Sequence, residues 1–97
     1  MTAYLVARMR ITDAERYERY KELTPSIVAS HGGRFLARGG RRVTLEGPAD
    51  DRRIVLVEFP SVEDAEAFYH SPAYQAARAL REGAAVGTEL IVVEGLT

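Results

Sequence analysis

Residues 54–60 read IVLVEFP, and this stretch decides the fold. Its β-branched and aromatic residues favour a strand, and Pro60 ends it because proline cannot donate to a strand ladder. Strict alternation places the odd-numbered residues on one face and the even-numbered ones, including Glu58, on the other. We expect the odd-numbered row to face a helical layer and Glu58 to face away from it.

The same pattern occurs earlier in the chain. Residues 3–11 read AYLVARMRI and alternate in the same way. Leu5 aligns with Leu56 when the two halves are superposed, and Asp13 then aligns with Asp64. Each strand therefore begins a half-domain of β-α-β type.

The remaining elements follow from helical periodicity and from turn residues. Thr12 and Glu15 have the spacing of a capping box, and Pro25 is expected to kink or restart the helix that they begin. Ser71 before Pro72 is typical of a helix start. The predicted helices are 12–30, 61–69 and 72–82, and the further strands are 34–38 with a continuation at 43–47, and 89–93. The order predicts one α+β domain over residues 1–97, with the ferredoxin-like arrangement β-α-β-β-α-β.

Composition excludes several functions. With 13 Lys and Arg against 14 Asp and Glu, the net charge is −1, and no basic stripe suggests a nucleic-acid surface. The absence of cysteine excludes disulfides, a thiolate zinc site and a cysteine nucleophile. No histidine pair has the spacing of metal ligands, and no glycine-rich phosphate loop or serine nucleophile elbow occurs.

The apolar runs are too short to cross a membrane, and Met1 leads almost directly into a strand. We therefore expect a cytoplasmic protein that does not associate with membranes.

Both helices of such a fold pack on one face of the sheet, which leaves the other face open. The residues expected there are too apolar to remain solvated, and they include Val6, Leu36, Leu56 and Ile91. A second copy of the chain is the simplest cover, so we expect a homodimer.

Five segments, in this order, resemble the domain of unknown function 1330 family. They are HGGRFLARGG (31–40), EG (46–47), RIVLVEFPS (53–61), YHSPAYQAARALR (69–81) and VVEG (92–95). The resemblance implies a dimeric α/β barrel, in which two ferredoxin-like sheets face each other around a cavity. That superfamily includes cofactor-free monooxygenases, haem-degrading enzymes and ligand-binding domains. The family itself has no settled activity.

Glu58 is the first candidate for chemistry, because on the open face it would look into that cavity as an acid or base. Arg38 and Arg8 are expected on the same face, where either could pair with Glu58 or hold an anionic substrate. Tyr4 would line the mouth of the cavity. The structural alternative is a Glu–Arg pair at the dimer interface.

Two further groups of residues have both a functional and a structural interpretation. His31 could act as a general base or bind haem iron, or it could cap the end of the preceding helix. Tyr74, Arg78 and Arg81 share one helix face and could orient a phenolic or carboxylate ligand at the rim. Alternatively, Tyr74 packs in the core with its hydroxyl bonded, while the arginines bond loop carbonyls or Glu82.

These observations predict a protein that binds or transforms a small organic molecule in a cavity at the dimer barrel, without a cofactor. The alternative is a non-catalytic homodimeric binding or interaction module whose cavity is filled by its own side chains.

Overall fold

The computed structural model describes residues 1–97 as one antiparallel sheet with three helices on one face. The elements are β1 (Ala3–Ile11), α1 (Ala14–Ser30), β2 (Arg34–Arg38), β3 (Arg53–Phe59), α2 (Val62–His70), α3 (Pro72–Glu82) and β4 (Ala85–Glu94). The strand order is β2-β3-β1-β4. This α+β arrangement is the ferredoxin-like fold that the sequence predicts. None of the helices is long and apolar enough to cross a membrane.

The two central strands confirm the predicted alternation. Leu5 lies opposite Val57, and Val6 lies opposite Leu56. Leu5 and Val57 are buried beneath the helices, whereas Val6 and Leu56 are half-buried on the face without helices, here called the open face. The period of two along each strand thus separates a core row from an open-face row.

Aromatic rings fill the space between sheet and helices. Phe59 is fully buried, and its ring centroid lies 5.2 Å from that of Phe68, which in turn lies 4.6 Å from the ring of Tyr74. Gly33 allows this packing, because a Cβ at that position would come within 2.7 Å of Phe59 Cε1. Each buried ring contributes about 1.5–3 kcal/mol of hydrophobic stabilisation.

The helix starts agree with the sequence to within two residues. The predicted capping box at Thr12 is wrong, because Asp13 is the N-cap of α1 and its carboxylate accepts a hydrogen bond from the Arg16 amide at 3.0 Å. A carboxylate there also meets the positive end of the helix dipole. Ser71 caps α3 as predicted and accepts a hydrogen bond from the Tyr74 amide at 3.1 Å.

Two expected features are absent. Residues 43–47 were predicted to continue β2 but form no strand, because the chain turns away at Gly39 (φ 74°) and finds no pairing partner beyond it. Pro25 does not interrupt α1, which is continuous over Ala14–Ser30. The carbonyl that Pro25 leaves without an amide partner is that of Lys21, four residues earlier.

The register between β2 and β3 shifts by one residue at Leu36. Phe35 lies opposite Val57, but Ala37 lies opposite Leu56. Leu36 is therefore the extra residue of a β-bulge, and every residue after it changes face.

Candidate functional site

A cavity of about 600 Å³ lies on the helix face of the sheet, between β4, α2 and α3. The helices cover the central strands well, so that Leu5 is buried, but they cover the edge strand poorly. Leu90 and Val92, on the same face of β4, are only half-buried. The space left above them is the cavity, which we call the β4 cavity.

The β4 cavity has an apolar floor and a polar rim. The apolar residues that line it are Leu5, Ala65, Ala85, Leu90 and Val92, and the others are Glu66, Tyr69, His70, Arg78, Arg81, Glu82 and Thr88. Pockets that combine apolar walls with a few convergent polar groups are typical of small-molecule sites.

Arg81 is the most unusual residue of the cavity. Only 5% of it is exposed, and its guanidinium carbon lies 5.8 Å from the centroid of the Tyr20 ring. Its Nε has no hydrogen-bond partner, and no carboxylate in the chain forms an ion pair with it. Buried guanidinium groups are normally paired, because desolvating an unpaired charge costs several kcal/mol.

Arg78, one turn earlier on α3, is held by its neighbours. Its Nη2 lies 2.8 Å from Glu82 Oε1, and its Nη1 donates to Gln75 Oε1 at 3.3 Å. Its guanidinium also lies 5.9 Å from the centroid of the Tyr69 ring. Arg78 therefore has its charge paired within the chain, in contrast to Arg81, although the Nε of each residue is buried without a hydrogen-bond partner.

Two protonatable side chains of α2 also line the cavity. Glu66 and His70 are four residues apart and so share one helix face. A carboxylate and an imidazole on the same helix face can act as acid–base groups toward a molecule bound in the cavity. Neither residue was among the sequence candidates, since the predicted helix ended at residue 69 and the structure extends it to His70.

Glu58 lies on the open face, as the alternation predicts, and therefore on the opposite side of the sheet from the β4 cavity. Within the chain Glu58 forms an ion pair with neither Arg38 nor Arg8. Its Oε2 accepts a hydrogen bond from Arg34 Nε at 2.8 Å, because Arg34 lies directly opposite Glu58 in the β2–β3 register. Arg34 is 74% exposed, so this pair contributes little stability.

Arg38 was expected on the open face, but the bulge at Leu36 places it on the helix face. Its Nη2 donates to the Lys21 carbonyl at 2.7 Å and to Thr24 Oγ1 at 3.1 Å. The Lys21 carbonyl is the one that Pro25 leaves without an amide donor. Arg38 thus replaces the hydrogen bond missing from α1, which explains why the helix continues through a proline.

This account predicts an energetic coupling between Arg38 and Pro25. We expect Arg38→Met to lower the free energy of unfolding by about 1–3 kcal/mol, because the carbonyl of Lys21 loses its shorter hydrogen bond and keeps only the one from Thr24 Oγ1 at 3.3 Å. In a Pro25→Ala background the helix supplies an amide donor, and the same substitution should cost about 1 kcal/mol less. Urea unfolding followed by far-UV circular dichroism measures both costs. Equal costs in the two backgrounds would contradict this account.

His31 and Tyr74 occupy their structural alternatives. His31 ends α1, and its Nδ1 lies 3.1 Å from the Ile27 carbonyl. The Tyr74 ring is 1% exposed, and its hydroxyl lies 2.8 Å from the Tyr20 hydroxyl. Neither side chain lines the β4 cavity.

Tyr4 and Arg8 lie on the open face of β1, as expected, Tyr4 half-buried and Arg8 exposed. Of the eight sequence candidates, only Arg78 and Arg81 therefore meet at the cavity. Glu58, Tyr4 and Arg8 lie on the other side of the sheet.

The acidic side chains form no metal site. No three histidine, aspartate or glutamate residues cluster closely enough to hold an ion. Asp50 and Asp51 are engaged in ion pairs: hydrogen bonds from Arg52 hold the pKa of the Asp50 carboxyl well below its usual range, and Arg10 lowers the pKa of Asp51. These charges lie at the end of the sheet and outside the cavity.

Comparisons with known proteins agree with this fold. A family model described as "Domain of unknown function (DUF1330)" matches residues 2–96. No functionally curated protein matches the sequence significantly.

Among solved structures, RPA0582 of Rhodopseudomonas palustris, a protein of unknown function, superposes with a TM-score of 0.81 at 22% identity, over 99% of this chain and 83% of that one. SnoaB of Streptomyces nogalater, a cofactor-independent oxygenase, gives 0.67 at 12% identity, over 99% and 94%. A dimeric ferredoxin-like protein of unknown function from Thermobifida fusca gives 0.67 at 15% identity, over 98% and 92%.

Proposed function

The chain belongs to the DUF1330 family, and we propose that it binds a small organic molecule in the β4 cavity, without a cofactor. The observation that carries the proposal is the cavity itself, about 600 Å³ of open space above an apolar floor. Sites for small molecules typically have volumes of roughly 300–1,000 Å³. The β4 cavity lies on the helix face and is not the cavity between two sheets that the sequence predicted, so the proposal rests on the open volume of this cavity.

The structural likeness to SnoaB is compatible with the proposal, although it concerns the fold. SnoaB is described as a cofactor-independent oxygenase and shares only 12% of its residues with this chain. It illustrates that a protein of this fold can be an oxygenase that needs no cofactor. In the present chain, Glu66 and His70 are the cavity residues suited to moving a proton of a bound molecule.

A tryptophan placed in the cavity tests the proposal. Thr88 lines the cavity from β4, so Thr88→Trp is expected to fill much of it. The neutral fluorescent probe N-phenyl-1-naphthylamine should bind the unaltered protein, and Thr88→Trp should weaken that binding at least tenfold. The matched control is Ala76→Trp, which adds the same side chain at an exposed position of α3.

Because the chain has no tryptophan of its own, the introduced indole also reports on its surroundings. The emission of Trp introduced at 88 should be shifted to the blue relative to that introduced at 76. Equal probe binding by the two variants, or no binding by the unaltered protein, would contradict the proposal.

We also propose that a second copy of the chain covers the open face. Ile91 and Val93 are 58% and 50% exposed there, and Leu36 is 46% exposed, so the face carries a contiguous apolar surface. Val6 and Leu56 extend this surface toward the centre of the sheet. The comparison protein from Thermobifida fusca is described as dimeric, which supports the same arrangement here.

A further inference from the structure

Arg81 lines the β4 cavity, and no carboxylate of the chain lies within ion-pair distance of its guanidinium. Its neighbour on the same helix, Arg78, is paired with Glu82 at 2.8 Å. Arg81 lines the cavity, is 5% exposed, and has a buried Nε without a partner. The Nε of Arg81 has thus lost its hydration without gaining a hydrogen bond, which costs stability.

We infer that the molecule bound in the β4 cavity is an organic acid, whose carboxylate accepts hydrogen bonds from the Arg81 guanidinium. This inference rests on the function proposed above and specifies the chemical class of the ligand. Guanidinium groups bind carboxylates in a bidentate manner, with two parallel N–H donors. Burial strengthens such a pair, because the surroundings screen it less than water does.

The walls of the cavity define the rest of the ligand. Leu5, Leu90 and Val92 form the floor that the sheet contributes, and they suit an apolar or aromatic body. Glu66 lies at the rim, where its negative charge disfavours a second carboxylate. The favoured ligand is thus a monocarboxylic acid with an apolar or aromatic body.

Matched acids and amides test this inference. In each of three pairs the two members share the same body, and a charged carboxylate in one replaces a neutral carboxamide in the other. The pairs are benzoate and benzamide, 2-naphthoate and 2-naphthamide, and 4-phenylbutyrate and its amide. For at least one pair we expect the acid to bind at least tenfold more tightly than the amide in isothermal titration calorimetry. Arg81→Met should remove this preference, whereas Arg19→Met, at an exposed position of α1 outside the cavity, should preserve it.

Stability without ligand provides an independent measurement. Arg81→Met replaces an unpaired buried charge by an apolar side chain of similar length, so its melting temperature should be equal to or higher than that of the unaltered protein. Arg81→Lys keeps the charge but loses the bidentate geometry, and we expect it to bind the preferred acid more weakly than the unaltered protein.

The possible failures are distinguishable. If acids and amides bind equally well, the inference about charge is wrong while binding in the cavity stands. The inference is also wrong if Arg81→Met leaves the preference for acids intact. If N-phenyl-1-naphthylamine binds in the cavity but no acid does, the ligand is not an organic acid. If neither that probe nor any member of the three pairs binds, the proposed function fails together with this inference.

Discussion

An Ile91→Asp variant is expected to sediment as a single chain of 10.7 kDa at concentrations where the unaltered protein has twice that mass. Ile91 is 58% exposed on the open face, so an aspartate there costs an isolated chain little. In the proposed dimer the same position is covered, and each copy would bury a carboxylate without a partner. Because a two-fold interface uses every residue twice, the dissociation constant should rise about a thousandfold or more, equivalent to ~4 kcal/mol.

The matched control for this experiment is Leu23→Asp. Leu23 is 45% exposed on α1, away from the open face, so the same change of chemistry there should leave the mass of the assembly unchanged. Sedimentation equilibrium at several concentrations measures both variants, and far-UV circular dichroism confirms that they are folded. A monomeric unaltered protein, or a dimeric Ile91→Asp variant, would contradict the proposed dimer.

The sequence predicted the fold because the signals for it are local. Alternation in β1 and β3 follows directly from the period of a strand, and the register Leu5 to Val57 is the one that keeps both residues in the core. Ser71 before Pro72 located the start of α3 in the same way. These features depend on neighbouring residues, so a pattern in the chain is sufficient to find them.

The placement of the candidate site residues was predicted poorly, because it depends on one inserted residue in β2 and on packing between elements. Alternation assigned Arg38 to the face of Leu36, but the bulge at Leu36 moved it beneath α1. No motif in the sequence marks that bulge. The hydrogen bond from Arg38 to the Lys21 carbonyl, which Pro25 leaves without an amide donor, can be recognised only once β2 and α1 are in place. A shift of one residue exchanges the two faces of a strand. Arg38 was therefore assigned to the wrong side of the sheet, and it was offered as a partner for Glu58, which it cannot reach from the helix face.

The position of the β4 cavity is a property of packing between elements. It exists because α2 and α3 leave Leu90 and Val92 partly uncovered, and no single segment encodes that gap. The sequence did place Arg78 and Arg81 together on one helix face, and both line the cavity. It also offered Glu82 as a partner for these arginines, but it could not show that Arg78 forms this ion pair and that Arg81 forms none.

The paired tyrosines beneath α1 and α3 should make the fold sensitive to alkali. Burial raises the pKa of the Tyr20 hydroxyl far above its usual value of 10.0, and the neighbouring Tyr74 hydroxyl, 2.8 Å away, raises it further. Burial also raises the pKa of Tyr17. In the folded chain the hydroxyls of Tyr17 and Tyr20 therefore keep their protons at pH values where the unfolded chain loses them.

The direction of the effect follows from proton linkage. Below about pH 10 both states are protonated, and the stability of the fold is fully present. Above that pH the unfolded chain releases a proton that the folded chain retains, so unfolding becomes more favourable as the pH rises. Each strongly shifted tyrosine lowers the free energy of unfolding by about 1.4 kcal/mol per pH unit, and Tyr20 alone should cost roughly 2–3 kcal/mol between pH 10 and 12.

A double substitution isolates this contribution. Replacing Tyr20 and Tyr74 together by phenylalanine removes both partners of the buried hydrogen bond, so the cost at pH 8 should be small. The double variant should then lose stability less steeply above pH 10 than the unaltered protein, as measured by urea unfolding at successive pH values. Tyrosinate absorbance offers a second test, because the signal from Tyr20 should appear only as the far-UV circular dichroism is lost. If the free energy of unfolding falls equally steeply with pH in the two proteins, the Tyr20 hydroxyl titrates in the folded chain as it does in the unfolded one. Its burial would then have no consequence for stability in alkali, and the prediction would be wrong.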